Sequence, residues 1–319
     1  MKLKSQFAIQ ISNYLKYREA LGFSTFTDGS MLSKFDKYCA ANKPEATELT
    51  RDVVCDWINS EETSIQNKST AIRNFSKYMQ AHGYKAYEYP TSLQSRVKTA
   101  KGKLIPHMFT IEELRALFTA IDKIKPSLRH PYLPIILPTM FRLIYSCGLR
   151  PNEGREVLRE NIDFETGAIR IVNTKGKKER TVVVSDDMLK RLSEYDEERR
   201  RFAGVNPYFF PSENGGVYTE KVIGQWFKNC WEASNPNIPK QSLPYVRVYD
   251  LRHVFATTAL TRWIESGANI RAKLAYLQAY MGHEALNETL YYIHLLPETL
   301  LSNGNWDTLL ATEEANGYR

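Results

Sequence analysis

Cysteine is scarce in this chain: four residues in 319, at positions 39, 55, 147 and 230. None of the gaps between them has the short spacing of a zinc knuckle, and nothing pairs them into a disulfide framework. A reducing compartment follows. No apolar run approaches the ~18 residues that cross a bilayer, so no membrane span is expected. The opening Met-Lys-Leu-Lys-Ser-Gln-Phe lacks the apolar stretch of a secretory signal, and a cytoplasmic location is the expectation. A Gly-x-x-x-x-Gly-Lys-Ser/Thr phosphate loop is missing, as is a carboxylate cluster of metal-site type, so neither a cofactor nor a metal is expected. Acid is missing locally too. Residues 91–106 carry Arg96, Lys98, Lys101 and Lys103 without one Asp or Glu.

What is present describes a globular chain of more than one core. Hydrophobic residues make up 43% and charged residues 25%, the balance of a folded, water-facing protein. A length of 319 residues favours two domains. The net charge of +7 is uneven: residues 1–106 hold 16 Lys and Arg against 10 Asp and Glu, the rest 27 against 26. A basic N-terminal third suits a polyanionic partner, although a plain solvated basic surface has the same composition.

Helical periodicity organises the first 90 residues. Phe7, Ile11, Tyr14, Leu15 and Leu21 recur on one stripe up to Gly22. Leu32, Phe35 and Tyr38 do so between Ser30 and Ala41. Thr50 can cap a helix burying Val53, Val54, Trp57 and Ile58, and Ser69 one burying Ile72, Phe75 and Met79. This predicts a four-helix bundle over residues 1–90 and, without periodicity, a basic linker over 91–106. A second domain, 107–319, opens at the capping box Thr110-Ile-Glu-Glu113. Prolines 126, 131, 134 and 138 place the next helix start near Thr139, and Gly148 ends it. Residues 168–173 and 180–184 form a β-hairpin around a lysine-rich tip. A polar, solvent-facing helix is expected from Asp186 to about Arg201, an apolar core piece at 207–211, and further helices over 219–233, 247–266 and 270–281. The fold class is therefore mainly α with a small β-hairpin, an α+β second domain behind an all-helical first one.

Four short pieces carry chemistry when taken together. They are Gly148-Leu-Arg150-Pro-Asn-Glu153, the hairpin tip with Lys175, Lys177 and Lys178, Tyr249-Asp-Leu-Arg252-His253, and Gly282-His283 followed nine residues later by Tyr292. A phenol of pKa ~10 is a weak nucleophile unless cations surround the group it attacks. In order and spacing these pieces resemble the tyrosine recombinases, the phage-integrase family. The pattern there is Gly-Leu-Arg-x-x-Glu, a hairpin lysine, His-x-Leu-Arg-His, then Leu-Gly-His and a tyrosine. One position departs: Tyr249 stands where the family has His or Lys, so that site carries no positive charge near neutral pH.

The resemblance implies a core-binding first domain, a catalytic second one, and DNA strand cleavage through a 3′-phosphotyrosine. Tyr292 is the nucleophile and Lys175 the proton donor to the leaving 5′-oxygen. Arg150, Arg252 and His283 stabilise the phosphate, with Tyr249 able to add a hydrogen bond. Glu153 orients the basic groups, and His253 is expected to be a structural hydrogen-bonder. Tyr291 points ~100° away from Tyr292 on a helix and is read as a packing residue. Candidate DNA contacts are Arg96, Lys98, Lys101, Lys103, Lys177, Lys178, Arg180 and Arg247. The partners implied are double-stranded DNA and further copies of the chain, a dimer per site and a tetramer in synapsis, with an apolar tail from Leu295 docking in cis or in trans. A bacterial or phage-encoded, nucleoid-associated protein of a mobile element fits this reading. A DNA-binding relative that has lost catalysis, and a type IB topoisomerase-like enzyme, stay open as alternatives.

Overall fold

The computed structural model describes residues 3–60, 65–90, 106–172 and 179–296. Backbone contacts divide the chain into two units, residues 1–105 and 106–319. Among the described residues no helix is long and apolar enough to span a membrane.

The first unit is built from helices α1 (Ala8–Ala20), α2 (Phe26–Asn42), α3 (Arg51–Asn59) and α4 (Ile65–Ala81). Phe7, Ile11, Tyr14, Leu32, Phe35, Trp57, Ile72 and Phe75 meet in one core. Two expected starts move. The second helix begins at Phe26, not Ser30, and Asp28 in its first turn is buried where it accepts the Tyr14 hydroxyl at 2.6 Å. Ser69 lies inside the fourth helix and donates to the Gln66 carbonyl instead of capping. Leu21 falls off the buried stripe of α1 and is exposed.

In the second unit α5 (Ile111–Asp122) starts on the expected capping box, Thr110 and Glu113 each accepting from the other's backbone N–H. Helix α6 (Leu133–Cys147) corrects the reading of its prolines, for it begins six residues before Thr139 and contains both Pro134 and Pro138. Pro134 sits in the first turn, where an N–H has no helical acceptor in any case. Pro138 forfeits one bond at a cost of about 3 kcal/mol. Against that, Leu133, Ile136, Leu137, Met140, Phe141, Leu143 and Ile144 are buried, each contributing about 1.5–3 kcal/mol. Burial wins.

A short helix α7 (Pro151–Arg155) follows, then strands β1 (Ala168–Ile171) and β2 (Arg180–Val183), paired antiparallel with Ala168 opposite Val183 and Ile171 opposite Arg180. The hairpin tip with Lys175, Lys177 and Lys178 lies outside the described residues, as do Arg96, Lys98, Lys101, Lys103 and the tail from position 297. Helix α8 (Asp186–Ala203) is not the solvent-facing helix expected. It buries Met188, Leu192, Tyr195, Asp196 and Arg199, and Phe209 and Phe210 of the apolar piece pack against Tyr195. Helices α9 (Glu220–Ser234), α10 (Val248–Glu265), α11 (Ile270–Met281) and α12 (Leu286–Leu290) complete the unit. A separate small cluster, formed by Ala256, Leu260, Leu274, Leu277, Met281, Leu290, Ile293 and Leu296, encloses Tyr292.

Candidate active site

Two glycines end the helices that frame the site. Gly148 closes α6 and Gly282 closes α11, both left-handed with φ of 58° and 65°. A Cβ on Gly148 would come within 2.3 Å of the Phe255 ring, so only glycine fits that turn. A helix C-terminus leaves carbonyls without helical donors, and here arginines take them. Arg252 donates from Nη1 to the Gly148 carbonyl at 2.8 Å and from Nη2 to that of Met281 at 2.7 Å. Arg150 donates from Nη2 to the Gly282 carbonyl at 2.8 Å. Residues more than a hundred positions apart are thereby gathered at one point.

Glu153 is the counter-ion at the centre. It accepts the Arg150 backbone N–H at 2.9 Å and Arg150 Nη1 at 2.8 Å. A bidentate pair from Arg180, at 2.9 and 2.7 Å, fills the rest of the carboxylate. Burial pushes the Glu153 carboxyl up, but the Arg180 and Arg150 hydrogen bonds and charges outweigh it and hold the group at about 2. Arg180 also donates from Nε to the Tyr280 carbonyl at 2.7 Å. The structure thus places Arg180, a candidate DNA contact from the sequence, on Glu153 with its side chain 9% exposed. Arg247 pairs with Asp250 at the start of α10, its side chain 31% exposed.

Arg252 is wholly buried. An arginine can only donate, so the 2.9 Å contact from its Nη2 requires a bare, accepting Nε2 on His283. Neutral His283 then carries its proton on Nδ1, 2.7 Å from the Thr289 hydroxyl. Burial, reinforced by the charges of Arg252, Arg150 and Arg180, pushes this imidazole down to about 3. Among the described residues Arg252 Nε has no hydrogen-bond partner. Three guanidiniums thus meet one carboxylate in a desolvated place, which suits an incoming anion.

Tyr292 lies over His283, ring centroids 5.9 Å apart and planes at 21°. Burial raises its phenol to about 12, against the pull of the adjacent Arg252. His253 stands among three tyrosines, its ring 5.1 Å from Tyr249, 5.9 Å from Tyr291 and 5.5 Å from Tyr292. It was expected to be a structural hydrogen-bonder, but its buried Nδ1 has no partner among the described residues. Burial, then Arg247 and Arg252, push it down to about 4. Tyr291 is 37% exposed and packs edge-on against His253 and Tyr292. Thr289 and the carbonyls of residues 148, 281 and 282 were not anticipated. Backbone acceptors carry no sequence signal, and a lone threonine six residues past a histidine carries little.

The model of the phage integrase family matches residues 107–299, more than half of the chain. The chain belongs to that family. A putative integrase/recombinase of Sinorhizobium fredii is 25% identical over 291 residues, 89% of this chain and 90% of that protein. The tyrosine recombinase XerD of Rhizobium meliloti is 26% identical over 240 residues, 75% of this chain and 72% of its own. Among solved structures, the fold is shared with the XerH site-specific recombinase bound to difH substrate, at a TM-score of 0.61 and 21% identity, covering 91% of this chain and 82% of that one. The Tn1549 transposon integrase in complex with transposon right end DNA has a TM-score of 0.61 at 16% identity, over 89% and 94% of the two chains.

Proposed function

We propose that this member of the phage integrase family is an active site-specific DNA recombinase of a mobile element, with Tyr292 as nucleophile. The observation that carries the reading is the buried cluster of Arg150, Arg252 and His283 beside the Tyr292 ring, in which guanidiniums outnumber carboxylates. Arg252 commits Nη1 and Nη2 to protein acceptors but keeps Nε–H unpaired, so its fork is anchored from behind and can still donate to a phosphate oxygen. Tyr292 Oη forms a bond to the DNA phosphorus and gives up its proton to water, while the bond from phosphorus to the 5′-oxygen breaks. That oxygen leaves as a hydroxyl, protonated in this reading by Lys175. Attack by a 5′-hydroxyl on the phosphotyrosine reverses the step and reseals a strand. The ester conserves the bond energy, so the exchange draws on neither ATP nor a metal.

The N-terminal unit is assigned to core binding, the basic stretch 91–106 to the phosphate backbone, and the working assembly to two copies per site and four in synapsis. A second reading, a DNA-binding relative with reduced catalysis, is favoured by Tyr249, which brings no charge to the position where relatives of the resembled pattern have one. A nicked-duplex assay separates them. Covalent protein–DNA adduct that survives denaturation supports the recombinase. Tight DNA binding without adduct on any sequence supports the second reading.

A further inference from the structure

Thr289 touches both the histidine of the site and the segment bearing the tyrosine. It is fully buried. Its hydroxyl lies 2.7 Å from His283 Nδ1, and its carbonyl accepts the backbone N–H of Tyr292 at 3.1 Å. A hydroxyl can accept from an N–H or, after turning about its C–O bond, donate to a bare nitrogen. Valine has the same shape and can do neither.

The arrangement around His283 leaves its Nε2 with no hydrogen to offer. With Arg252 Nη2 donating to it, Nε2 bears no hydrogen and cannot donate to a phosphate oxygen. We propose that Thr289 is a positioning residue that lets His283 exchange one neutral tautomer for the other when phosphate arrives; the proposal rests on the recombinase reading above. In the arrangement shown by the structure Nδ1–H donates to Thr289 Oγ1 while Nε2 accepts from Arg252. Once an entering phosphate accepts from Arg252 Nε–H and also draws the Nη2–H away from His283, Nδ1 releases its proton to water and Nε2 takes one up from water. Thr289 Oγ1–H then donates to Nδ1, and Nε2–H donates to a non-bridging oxygen. The imidazole's charge is unchanged throughout. Neutrality is also what its environment imposes, since burial and three neighbouring guanidiniums oppose protonation. The Thr289 carbonyl joins this exchange to the backbone of Tyr292, so the histidine and the nucleophile are set by one residue.

The test uses the full chain and three forms: wild type, Thr289→Ser and Thr289→Val. Nicked duplexes of randomised sequence are offered to wild type, and the trapped sequences are recovered and resynthesised as one defined substrate. Thr289→Val is expected to form adduct about 10- to 100-fold more slowly, the loss met when the orienting partner of a metal-bound histidine is removed. Thr289→Ser should stay within about threefold of wild type, since it keeps the hydroxyl. Nitrogen NMR of labelled histidine reads the tautomer directly. Free protein should show His283 protonated on Nδ1, and a Tyr292→Phe protein bound to the duplex should show it protonated on Nε2. Equal cleavage by Thr289→Val and wild type overturns the proposal, as does the same tautomer with and without DNA. Should wild type form no adduct on any duplex, the recombinase reading falls by itself. Free protein protonated on Nε2 overturns the Thr289 assignment without any DNA.

Discussion

Two buried carboxylates in the second unit are each ringed by three arginines, and only one of them looks like a site. Asp196 pairs with Arg159, Arg199 and Arg200; Glu153 with Arg150, Arg180 and Arg252. The charge count is the same. Exposure is not. Around Asp196 the side chains of Arg159 and Arg200 are 37% and 66% exposed, and the buried Arg199 is turned onto the carbonyls of Tyr208 and Phe209. Around Glu153 the three arginine side chains are 17%, 9% and 0% exposed. Water dissipates the excess positive charge of the first cluster, whereas the second holds it in a desolvated place. Counting arginines does not find an anion site; finding arginines that water cannot reach does.

The comparison breaks most visibly at the proposed reacting groups. Tyr292→Phe should abolish covalent adduct while leaving DNA binding intact, and Tyr291→Phe should retain it. Arg252→Ala should slow cleavage by about 10²–10³, the loss from removing one transition-state donor. An adduct that persists in Tyr292→Phe and vanishes in Tyr291→Phe would move the nucleophile to the exposed neighbour.

Next in size is stability. Glu153→Gln removes the one carboxylate from a buried cation cluster and should cost about 3–5 kcal/mol in urea unfolding, the range for breaking a buried pair. Asp196→Asn should cost clearly less, because two of its arginines already reach water. Equal losses would remove the distinction between the clusters. Glu153 also has a pH signature. Glu153 is held at about 2 in the folded protein, below its value in an unfolded chain, so its contribution is complete above the ordinary carboxylate pKa and is lost as pH falls through about 2.

Much of this was legible in the sequence, and what escaped did so for physical reasons. Gly148 and Gly282 were readable as helix ends, and Arg150, Arg252, His283 and Tyr292 as one constellation, because spacing along the chain records them. Helix α6 was misread at Pro134 and Pro138, where a rule about local hydrogen bonding lost to the burial of the helix around it. Arg180 read as a surface cation because its partner Glu153 is 27 residues away and nothing local announces a buried pair. Helix α8 looked solvent-facing because Asp196 and Arg199 count as polar in any pattern, though each is buried in a pair or on carbonyls.

A smaller effect comes from the site's two buried histidines. His253 and His283 are held at about 4 and about 3, below the usual 6.5, by burial first and nearby arginines second. Their folded values are depressed, so the unfolded chain binds protons that the folded one refuses. The stability they allow is complete above pH 6.5 and falls as pH drops toward those values, each histidine adding a slope of up to about 1.4 kcal/mol per pH unit. Unfolding of His253→Gln between pH 7 and 4.5 should show a flatter decline than wild type. An unchanged slope would mean that His253 titrates freely, and its place among the three tyrosines would then be solvent-accessible.

The smallest expected effect comes from Arg200. Its guanidinium meets Asp196 at 3.0 Å across one helical turn, but its side chain stands two-thirds in water. A helix pair four residues apart whose cation stands in water contributes about 0.3–0.5 kcal/mol, and Asp196 keeps Arg159, bonded at 3.3 and 3.0 Å, when Arg200 is lost. Arg200→Ala should therefore shift the urea midpoint barely beyond error. Arg180→Ala, which strips a bidentate partner from buried Glu153 and a donor from the Tyr280 carbonyl, should shift it by several times as much. Raising salt sharpens the contrast, since screening acts on charges that ions can approach: whatever Arg200 contributes should vanish at 1 M salt, while the loss in Arg180→Ala should persist. If the two variants lose stability equally and respond to salt alike, exposure is not what distinguishes the clusters, and the case for a desolvated anion site at Glu153 loses its physical basis.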